Sequence, residues 1–481
     1  MTLEEAIEFC KNNPDMAATI ILEIEALKDI IQKQNEEIKR LRDIISKDSS
    51  NSSRPPSSDN KFKKRSKSKK SNMKRKRGGQ NGHKGSTLKI VSNPDKVVSL
   101  QSSKCHCGCD LSCVESTRVV KRQIFDIAKI KMQTIEYAQH TKICPECKTV
   151  NKPKFPDNLN ATVQYGDNIK SFIAYLNTYQ MIPYDRISEM IKDFTSHNIS
   201  KGTIFTVLQN FYNRLEDYEE NIKRLLLKES VIHCDETGVN VNGKLHYTHV
   251  VCSSTLTYYM LHQKRGKEAI NEMGILPYYQ GIAVHDHWSP YYGYRCTHSY
   301  CNAHHLRELT FIADVEKERW AKDMHKLLTK MNKAVHIVKE KGKTALTKEQ
   351  VGHFLTSYDK ICNSALVYYP PPDKKAKKSR GRVKQAKGKN LLDRLMKYKD
   401  ATLRFLTNFD VPFTNNLAER NLRMIKVKEK ISGTFASFRG GEMFNRIRGY
   451  ISTLKKNKRL VLVELTNVLV GRFYLPMGNG C

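Results

Sequence analysis

The sequence has no long apolar run. Its most apolar-looking stretch, residues 461–470, is short and is interrupted by Glu464 and Asn467. A membrane-spanning helix needs about 18 or more consecutive apolar residues. The first ten residues, MTLEEAIEFC, include acidic side chains and lack the basic segment that begins a secretory signal. We therefore expect neither a membrane-embedded protein nor a secreted, disulfide-stapled one.

Acidic residues are scarce relative to basic ones. The 481 residues include 83 Lys and Arg against 49 Asp and Glu, a net charge of +34, and 39% of the residues are hydrophobic. An average globular protein is about 45–50% apolar, so the excess polar residues are expected in tails, linkers and charged faces. Such a charge favours a polyanionic partner, and the length predicts about two to four domains. The 13 cysteines favour reduced thiols, some of them metal ligands.

Residues 1–50 carry a heptad pattern. Isoleucines recur every seven residues on one seam, and leucines with one glutamine form the other. These positions are Ile24, Ile31, Ile38 and Ile45, with Leu27, Gln34 and Leu41. The pattern predicts a two-stranded coiled coil and hence a homodimer or higher oligomer. The alternative is a single amphipathic helix that docks on its own chain.

Residues 51–96 read as a basic, disordered linker. The segment 51–60 is rich in Ser, Asn and Pro, and residues 61–77 hold eleven Lys and Arg and no acid. Such a block repels itself until it meets phosphates, so we predict nonspecific contact with nucleic acid. The alternative is a solvated tail that binds nothing in particular. The candidate DNA-binding residues here are Lys63, Lys64, Arg65, Arg75 and Arg77.

Residues 97–150 are predicted to be a small zinc-binding module. Two cysteine clusters flank a stretch, 123–137, with strand-like alternation. Zn²⁺ prefers four tetrahedral ligands and binds thiolates well, so two pairs separated by a hairpin can share one ion. The alternative is a set of buried or stray thiols. The predicted ligands are Cys105, Cys107, Cys144 and Cys147, with Cys109 as a rival for the first pair.

The remaining chain alternates helices and strands. Residues 160–228 read as helical and suggest a helix-turn-helix in which Ser200 caps the second helix, although a plain helical scaffold explains them equally. Residues 229–305 are predicted to form three consecutive strands and then two shorter ones, and Asn242-Gly243 is the predicted hairpin turn between the first two. Residues 306–400 are predicted to be mostly helical, with a basic stretch at 374–389. Residues 401–460 contain a further helix with a basic face, and residues 461–481 are predicted to be a C-terminal tail.

Three acids stand out by their placement. Asp235 and Asp286 each end a hydrophobic strand, and Glu419 lies in the first turn of a helix. Together they predict an oxygen-rich cage for Mg²⁺ or Mn²⁺, in which two ions about 4 Å apart promote phosphoryl displacement. Three clustered carboxylates repel one another until a cation binds. The set, in a chain this basic, favours a nuclease-like site.

Each acid also has a simpler interpretation. Asp235 is a candidate turn residue, and Asp286, between two histidines, is a candidate partner of an imidazole or a transition metal. Glu419 lies three residues after Asn416, the spacing of a capping box. Cys301 and His304, three residues apart, fit half of a metal site or a strand-to-helix junction.

The helix that carries Glu419 also carries a row of cations. Its candidate DNA-binding residues are Arg420, Arg423, Lys426 and Lys430. Charge-assisted bonds from these side chains to phosphates would hold a DNA backbone beside the acids. The alternative is a solvated basic face.

Several long motifs resemble one known family. HCDET, AVHDHW, YCNAHHLREL and DVPFTNNLAERNLRMIKVKEKISGTF are similar to the catalytic core of transposases of insertion-sequence family sixty-six, within the DDE transposases. NSSRPPSSD, the basic run and GGQNGHKGSTL resemble that family's linker, and the cysteine pairs its zinc module. The Cys105-x-Cys107 spacing departs from the family pattern, which usually has two intervening residues.

The resemblance implies a fold and an activity. It implies an α/β protein with an RNase H-like core and a helical insertion between the second Asp and the Glu, with Asp235, Asp286 and Glu419 as the D, D and E ligands. The implied activity is Mg²⁺-dependent cleavage and joining of DNA at inverted repeats, with target DNA and small accessory proteins as partners, in the cytoplasm at the nucleoid. The alternatives are an RNase H-like nuclease or resolvase that does not join strands, and a noncatalytic zinc-containing DNA-binding protein.

Overall fold

The computed structural model describes residues 2–47, 88–127, 130–370 and 385–476. Two N-terminal helices come first, α1 (Leu3–Asn12) and α2 (Pro14–Ser46), and Pro14 suits the first turn of α2 because that position needs no backbone N–H. The heptad positions are exposed, from 45% at Ile24 to 73% at Ile45. The helix is as predicted, and its pairing in a coiled coil stays a prediction. The linker cations at 63–77 lie outside the described residues.

The described residues between 88 and 163 contain little regular structure. One small antiparallel pair, β1 (Lys142–Ile143) and β2 (Val150–Asn151), frames the second cysteine pair. The strands predicted within 123–137 are wrong for the described residues of that stretch, which form none. Ile124 and Ile127, which would lie on opposite faces of a strand, are 92% and 82% exposed, so neither side chain has the apolar cover that would favour strand pairing.

A helical unit precedes the main sheet. It comprises α3 (Asp167–Ala174), α4 (Tyr184–Thr195), α5 (Lys201–Arg214) and α6 (Glu216–Lys228), and a π-helical turn extends α3. The Ser200 hydroxyl accepts the Thr203 N–H at 3.0 Å, which confirms the predicted cap. The apolar face of α5 is buried in the core. The helix pair is therefore part of the scaffold, and DNA reading by α5 remains a prediction.

The main sheet is mixed. Its strands are β3 (Val231–Val241), β4 (Lys244–Cys252), β5 (Thr257–His262), β6 (Ile282–His285) and β7 (Thr297–Tyr300), with α7 (Lys267–Met273) between β5 and β6. The strand order is β5-β4-β3-β6-β7; β3, β4 and β5 are antiparallel, and β6 and β7 run parallel to β3. Asn242 and Gly243 have φ of 47° and 77°, as the predicted two-residue hairpin requires.

A helical insertion follows β7. Its helices are α8 (Asn302–Phe311), α9 (Arg319–Glu340), α10 (Lys348–Ala365), α11 (Lys387–Lys397) and α12 (Lys399–Thr407), and they enclose their own apolar core. The predicted helical character of 306–400 is thus confirmed in its described residues. Much of the basic stretch, residues 374–384, lies outside them.

Three helices complete the fold. Helix α13 (Asn416–Ser432) packs on the face of the sheet that carries Val239 and Val250, and α14 (Phe438–Lys456) lies against β5. The segment predicted as a C-terminal tail begins with α15 (Val461–Leu469), whose apolar side packs against α3. None of the helices in the described ranges combines the length and apolar character of a membrane span.

Candidate active site

Asp286 and Cys301 directly follow β6 and β7, whereas Asp235 lies within β3, two residues past its parallel pairing with β6 and not at the strand end that the sequence predicts. The register pairs His233 of β3 with Val284 of β6, and His285 of β6 with Tyr300 of β7. Continued by one or two residues, this register puts Asp235, Asp286 and Cys301 at the same level. Neighbouring strands lie about 4.8 Å apart, so the three residues form a row across the sheet.

Asp235 lies inside β3 rather than in a turn, because β3 runs without a break from Val231 to Val241. Its turn interpretation is therefore wrong. Side chains alternate between the faces of a strand, so Asp235 shares its face with Val239, which packs against α13. The covering helix and Asp235 thus meet on one side of the sheet.

Asn415 fixes the N-terminus of α13 to this row. Its Nδ2 donates to the Cys234 carbonyl at 2.8 Å, and its Oδ1 lies 2.9 Å from Nδ1 of His233. Its backbone N–H contacts the Cys301 Sγ at 3.1 Å. One buried amide therefore ties α13 to both β3 and the end of β7. No pattern in the sequence had indicated Asn415 as a site residue.

Glu419 lies about one helical turn after Asn415. The helix begins at Asn416 after Asn415, and no side-chain cap bond is formed there, so the capping-box interpretation of Glu419 is wrong. Instead, the Cys301 thiol lies 3.8 Å from Glu419 Oε1. Glu419 therefore stands at the same edge of the sheet as the row of strand ends.

Asp235 is costly to ionise at this position. Burial raises the pKa of Asp235 well above its usual value, and the charges of Glu236, Asp286 and Glu419 raise it further. The Asp286 carboxylate accepts the Trp288 N–H at 2.9 Å, whereas His287 contacts Tyr292 and His305. A bound cation would relieve this repulsion, which makes the site fit a metal.

A second acid supports the row from the opposite face of the sheet. The Glu236 carboxylate accepts hydrogen bonds from Nε and Nη2 of Arg265, at 2.9 and 2.6 Å, and from the Tyr291 hydroxyl at 2.6 Å. The Arg265 guanidinium lies 4.4 Å from the centre of the Trp288 ring. Adjacent residues on a strand point to opposite faces, so the sequence could have predicted that Asp235 and Glu236 do not share one site.

The four predicted cations of α13 lie on one exposed stripe. Arg420, Arg423, Lys426 and Lys430 are all exposed and are spaced three or four residues apart. Lys426 also contacts the Gly238 carbonyl and Glu429. The stripe begins beside Glu419, so a polyanion lying along α13 would pass the acids.

A comparison with protein families identifies the family of the chain. A family model described as the transposase IS66 family matches residues 162–443, more than half of the chain. The chain belongs to the transposase IS66 family. A second model, for a family of unknown function, matches residues 10–89. No curated protein matches the chain.

The IS66-family region contains every acid described above. It runs from just before α3 into α14 and therefore includes Asp235, Asp286, Glu419 and the whole main sheet. The predicted resemblance is confirmed at the level of the family. The cysteine clusters at 105–113 and 144–147 lie before this region.

Those cysteines meet in pairs. Hydrogen bonding joins Cys105 to Cys107, and Cys144 to Cys147, each pair in a tight turn. Hydrogen bonding with the Thr149 side chain lowers the pKa of Cys147 to about 7. Within the described ranges, no three of these thiols lie within 4.8 Å of one another, so the two pairs do not form one tetrahedral set in this structure.

One member of this row, Cys301, also belongs to a group of side chains that have the chemistry of metal ligands in this IS66-family chain. Cys301, His304 and Glu419 each offer one ligand atom, and the three atoms lie within 4.8 Å of one another. The pair Cys301 and His304 forms the predicted strand-to-helix junction, because Cys301 follows β7 and α8 begins at Asn302, whereas its role as half of a metal site stays a prediction.

Proposed function

We propose that this chain is a DNA transposase of an insertion sequence, which binds element ends and catalyses strand cleavage and strand transfer. Its membership of the transposase IS66 family supports a transposase function. The observation that carries the proposal is the row of Asp235 and Asp286 on adjacent parallel strands, with Glu419 on the helix above. We also propose that residues 229–305 and 401–460 form an RNase H-like core, with residues 306–400 as its helical insertion.

In this proposal Asp235, Asp286 and Glu419 would hold Mg²⁺ or Mn²⁺. Their oxygens are the hard ligands that these ions prefer, and their mutual repulsion favours an occupied site. Bound there, two ions would activate the attacking oxygen and stabilise the leaving oxygen of a phosphodiester exchange. Asn415 positions α13, and hence Glu419, against the strand ends.

DNA is the proposed substrate because cations flank the acids. Arg420, Arg423, Lys426 and Lys430 would hold phosphates along α13, and the chain's charge of +34 favours such contacts. The linker residues Lys63, Lys64, Arg65, Arg75 and Arg77 are proposed to add nonspecific contacts.

Other parts of the proposal concern assembly. Cys105, Cys107 or Cys109, Cys144 and Cys147 are proposed to hold a structural Zn²⁺, since the two pairs are already formed in turns. Helix α2 is proposed to pair two copies of the chain through its exposed heptad face. Small accessory proteins are further proposed partners, and action on chromosomal DNA would place the enzyme at the nucleoid in the cytoplasm.

The test is an assay of the full chain with labelled DNA from both flanks of its gene, Mg²⁺ and a target plasmid. We expect cut products followed by products in which the element end is joined to the plasmid. Cut products without joining would indicate a nuclease or resolvase instead. A gel shift without either product would indicate a noncatalytic DNA-binding protein.

A further inference from the structure

Three potential ligands from three elements meet at the end of β7. Cys301 precedes α8, His304 lies in the first turn of α8, and Glu419 lies in the first turn of α13. Their ligand atoms all lie within 4.8 Å of one another. Glu419 lies more than a hundred residues after Cys301 and His304 in the chain, so the fold, and not local sequence, brings it to the pair.

His304 supplies an independent observation. Its Nδ1 is buried and, within the described part of the chain, has no hydrogen-bond partner. A buried polar atom without a partner loses its hydration without compensation, and folded proteins rarely leave one unsatisfied. A bound cation would give a partner to this imidazole, one nitrogen of which lies close to a thiol and a carboxylate.

The donor set selects the kind of ion. A thiolate and an imidazole suit Zn²⁺ and similar borderline ions, whereas Mg²⁺ prefers oxygen ligands only. We propose that Cys301, His304 and Glu419 bind a divalent transition-metal ion such as Zn²⁺, at a site separate from the proposed Mg²⁺ centre but sharing Glu419 with it. Three protein ligands leave one position open for water or a phosphate oxygen.

The surroundings hold two of the ligands in place. The backbone N–H of buried Asn415 contacts Cys301 Sγ at 3.1 Å, and the Cys301 N–H donates to the His285 carbonyl at 3.0 Å. The Asn415 side chain in turn fixes the start of α13. The site is therefore formed by buried backbone and amide contacts.

Sharing Glu419 has a consequence that rests on the proposed function. A carboxylate engaged by the transition metal is less available to the magnesium centre. Micromolar Zn²⁺ should therefore slow Mg²⁺-dependent cleavage. Cys301→Ser should raise the Zn²⁺ concentration needed for this inhibition by at least about tenfold, because substituting even a residue that only supports a metal ligand lowers metal affinity by that much.

Cobalt is a direct probe of the binding itself, because a cobalt–thiolate bond absorbs in the near ultraviolet. The full chain would be titrated with Co²⁺ alone, in parallel with Cys301→Ser, His304→Ala and, as the matched control, Cys296→Ser, another buried cysteine near β7. A second series would carry serine at all six cysteines between 105 and 147, which removes competing thiolates.

We expect Cys301→Ser to bind one Co²⁺ fewer than the parent and to lose the corresponding absorption, while Cys296→Ser keeps both. His304→Ala should weaken this cobalt at least about tenfold. Equal stoichiometry and absorption in the parent and Cys301→Ser, with melting curves that show both folded, would overturn the site and leave only a thiol–carboxylate contact.

The test separates this site from the proposed activity. Asp286→Asn should keep the cobalt absorption although it loses cleavage. Cobalt bound through Cys301 in a chain that never cleaves DNA would support the metal site and count against the transposase proposal alone.

Discussion

At the residue scale, the side chain of Asp235 is the most constrained acid of the site. It is half-buried on β3, and desolvation, with the charges of neighbouring acids, raises its pKa. If it holds a divalent cation, Asp235→Asn removes the charge but keeps the shape. We expect the cleavage rate with Mg²⁺ to fall by more than about a hundredfold, while DNA affinity in a gel-shift titration stays within about twofold.

The control for that substitution is Asp193→Asn, an exposed acid on α4, which should cleave at the parent rate. Undiminished cleavage by Asp235→Asn would remove Asp235 from the mechanism.

Asn415 is expected to act by position. Asn415→Ala loses the bonds to the Cys234 carbonyl and to His233, so the start of α13 is released from β3. We predict a loss of about 1–3 kcal/mol in the free energy of unfolding and a rise of about tenfold or more in the Mg²⁺ concentration needed for half-maximal cleavage.

Asn416→Ala is its matched control, because Asn416 is the exposed next residue of the same helix. An unchanged Mg²⁺ requirement in Asn415→Ala, together with the stability loss, would show that Asn415 supports the fold without positioning Glu419.

At the element scale, α13 carries a buried cation at Lys428. Burial lowers its pKa to about 8 from an ordinary 10.5, so the folded state binds the proton more weakly than the unfolded state. This penalty is fully present below about pH 8, declines as the pH rises and is absent above about 10.5.

Lys428→Met should therefore stabilise the fold at pH 7, by on the order of 2 kcal/mol. Urea denaturation at pH 7 and pH 10.5 measures it, and the gain should shrink at the higher pH. Lys430→Met, an exposed position on the same helix, should change stability by less than about 0.5 kcal/mol. A gain from Lys428→Met that does not depend on pH would contradict the burial argument.

Elements with local signals were predictable from the sequence. The strands β3 to β7, the Asn242-Gly243 turn and the cap of α5 depend on residues next to one another in the chain, and each was found as predicted. The strands expected at 123–137 failed because alternation predicts a strand only where a layer covers one face. Helix α15 was missed because its apolar residues show no clear helical pattern in the sequence. Its apolar side is buried by distant parts of the chain, chiefly α3.

The site was predictable only in part. Strand-end acids can be read from the sequence because each follows an apolar run. Their alignment depends on the register between β3, β6 and β7, which the sequence alone does not give. The role of Asn415 and the partners of Glu236 depend on contacts over long sequence separations, so no local pattern indicated them.

At the scale of the whole molecule, self-association is the property that α2 should control. Its heptad side chains are exposed, and burying them in a second copy would gain hydrophobic free energy. We predict that Leu27→Lys with Ile31→Lys halves the mass measured by light scattering at micromolar concentration. Gln32→Lys, outside the seam, should leave the mass unchanged, and a parent chain that is already monomeric would contradict the proposal.

The central claim is that Asp235 ligates the divalent cation, and a change of cation preference tests it most directly. Asp235→Cys replaces an oxygen ligand with sulfur, which Mg²⁺ binds poorly and Mn²⁺ accepts more readily. Single-turnover cleavage of labelled element-end DNA would be measured with each ion. We predict that Asp235→Cys is nearly inactive with Mg²⁺ and regains at least about tenfold with Mn²⁺, while the parent differs little between them. Cleavage by Asp235→Cys at the parent rate with Mg²⁺ would contradict the account.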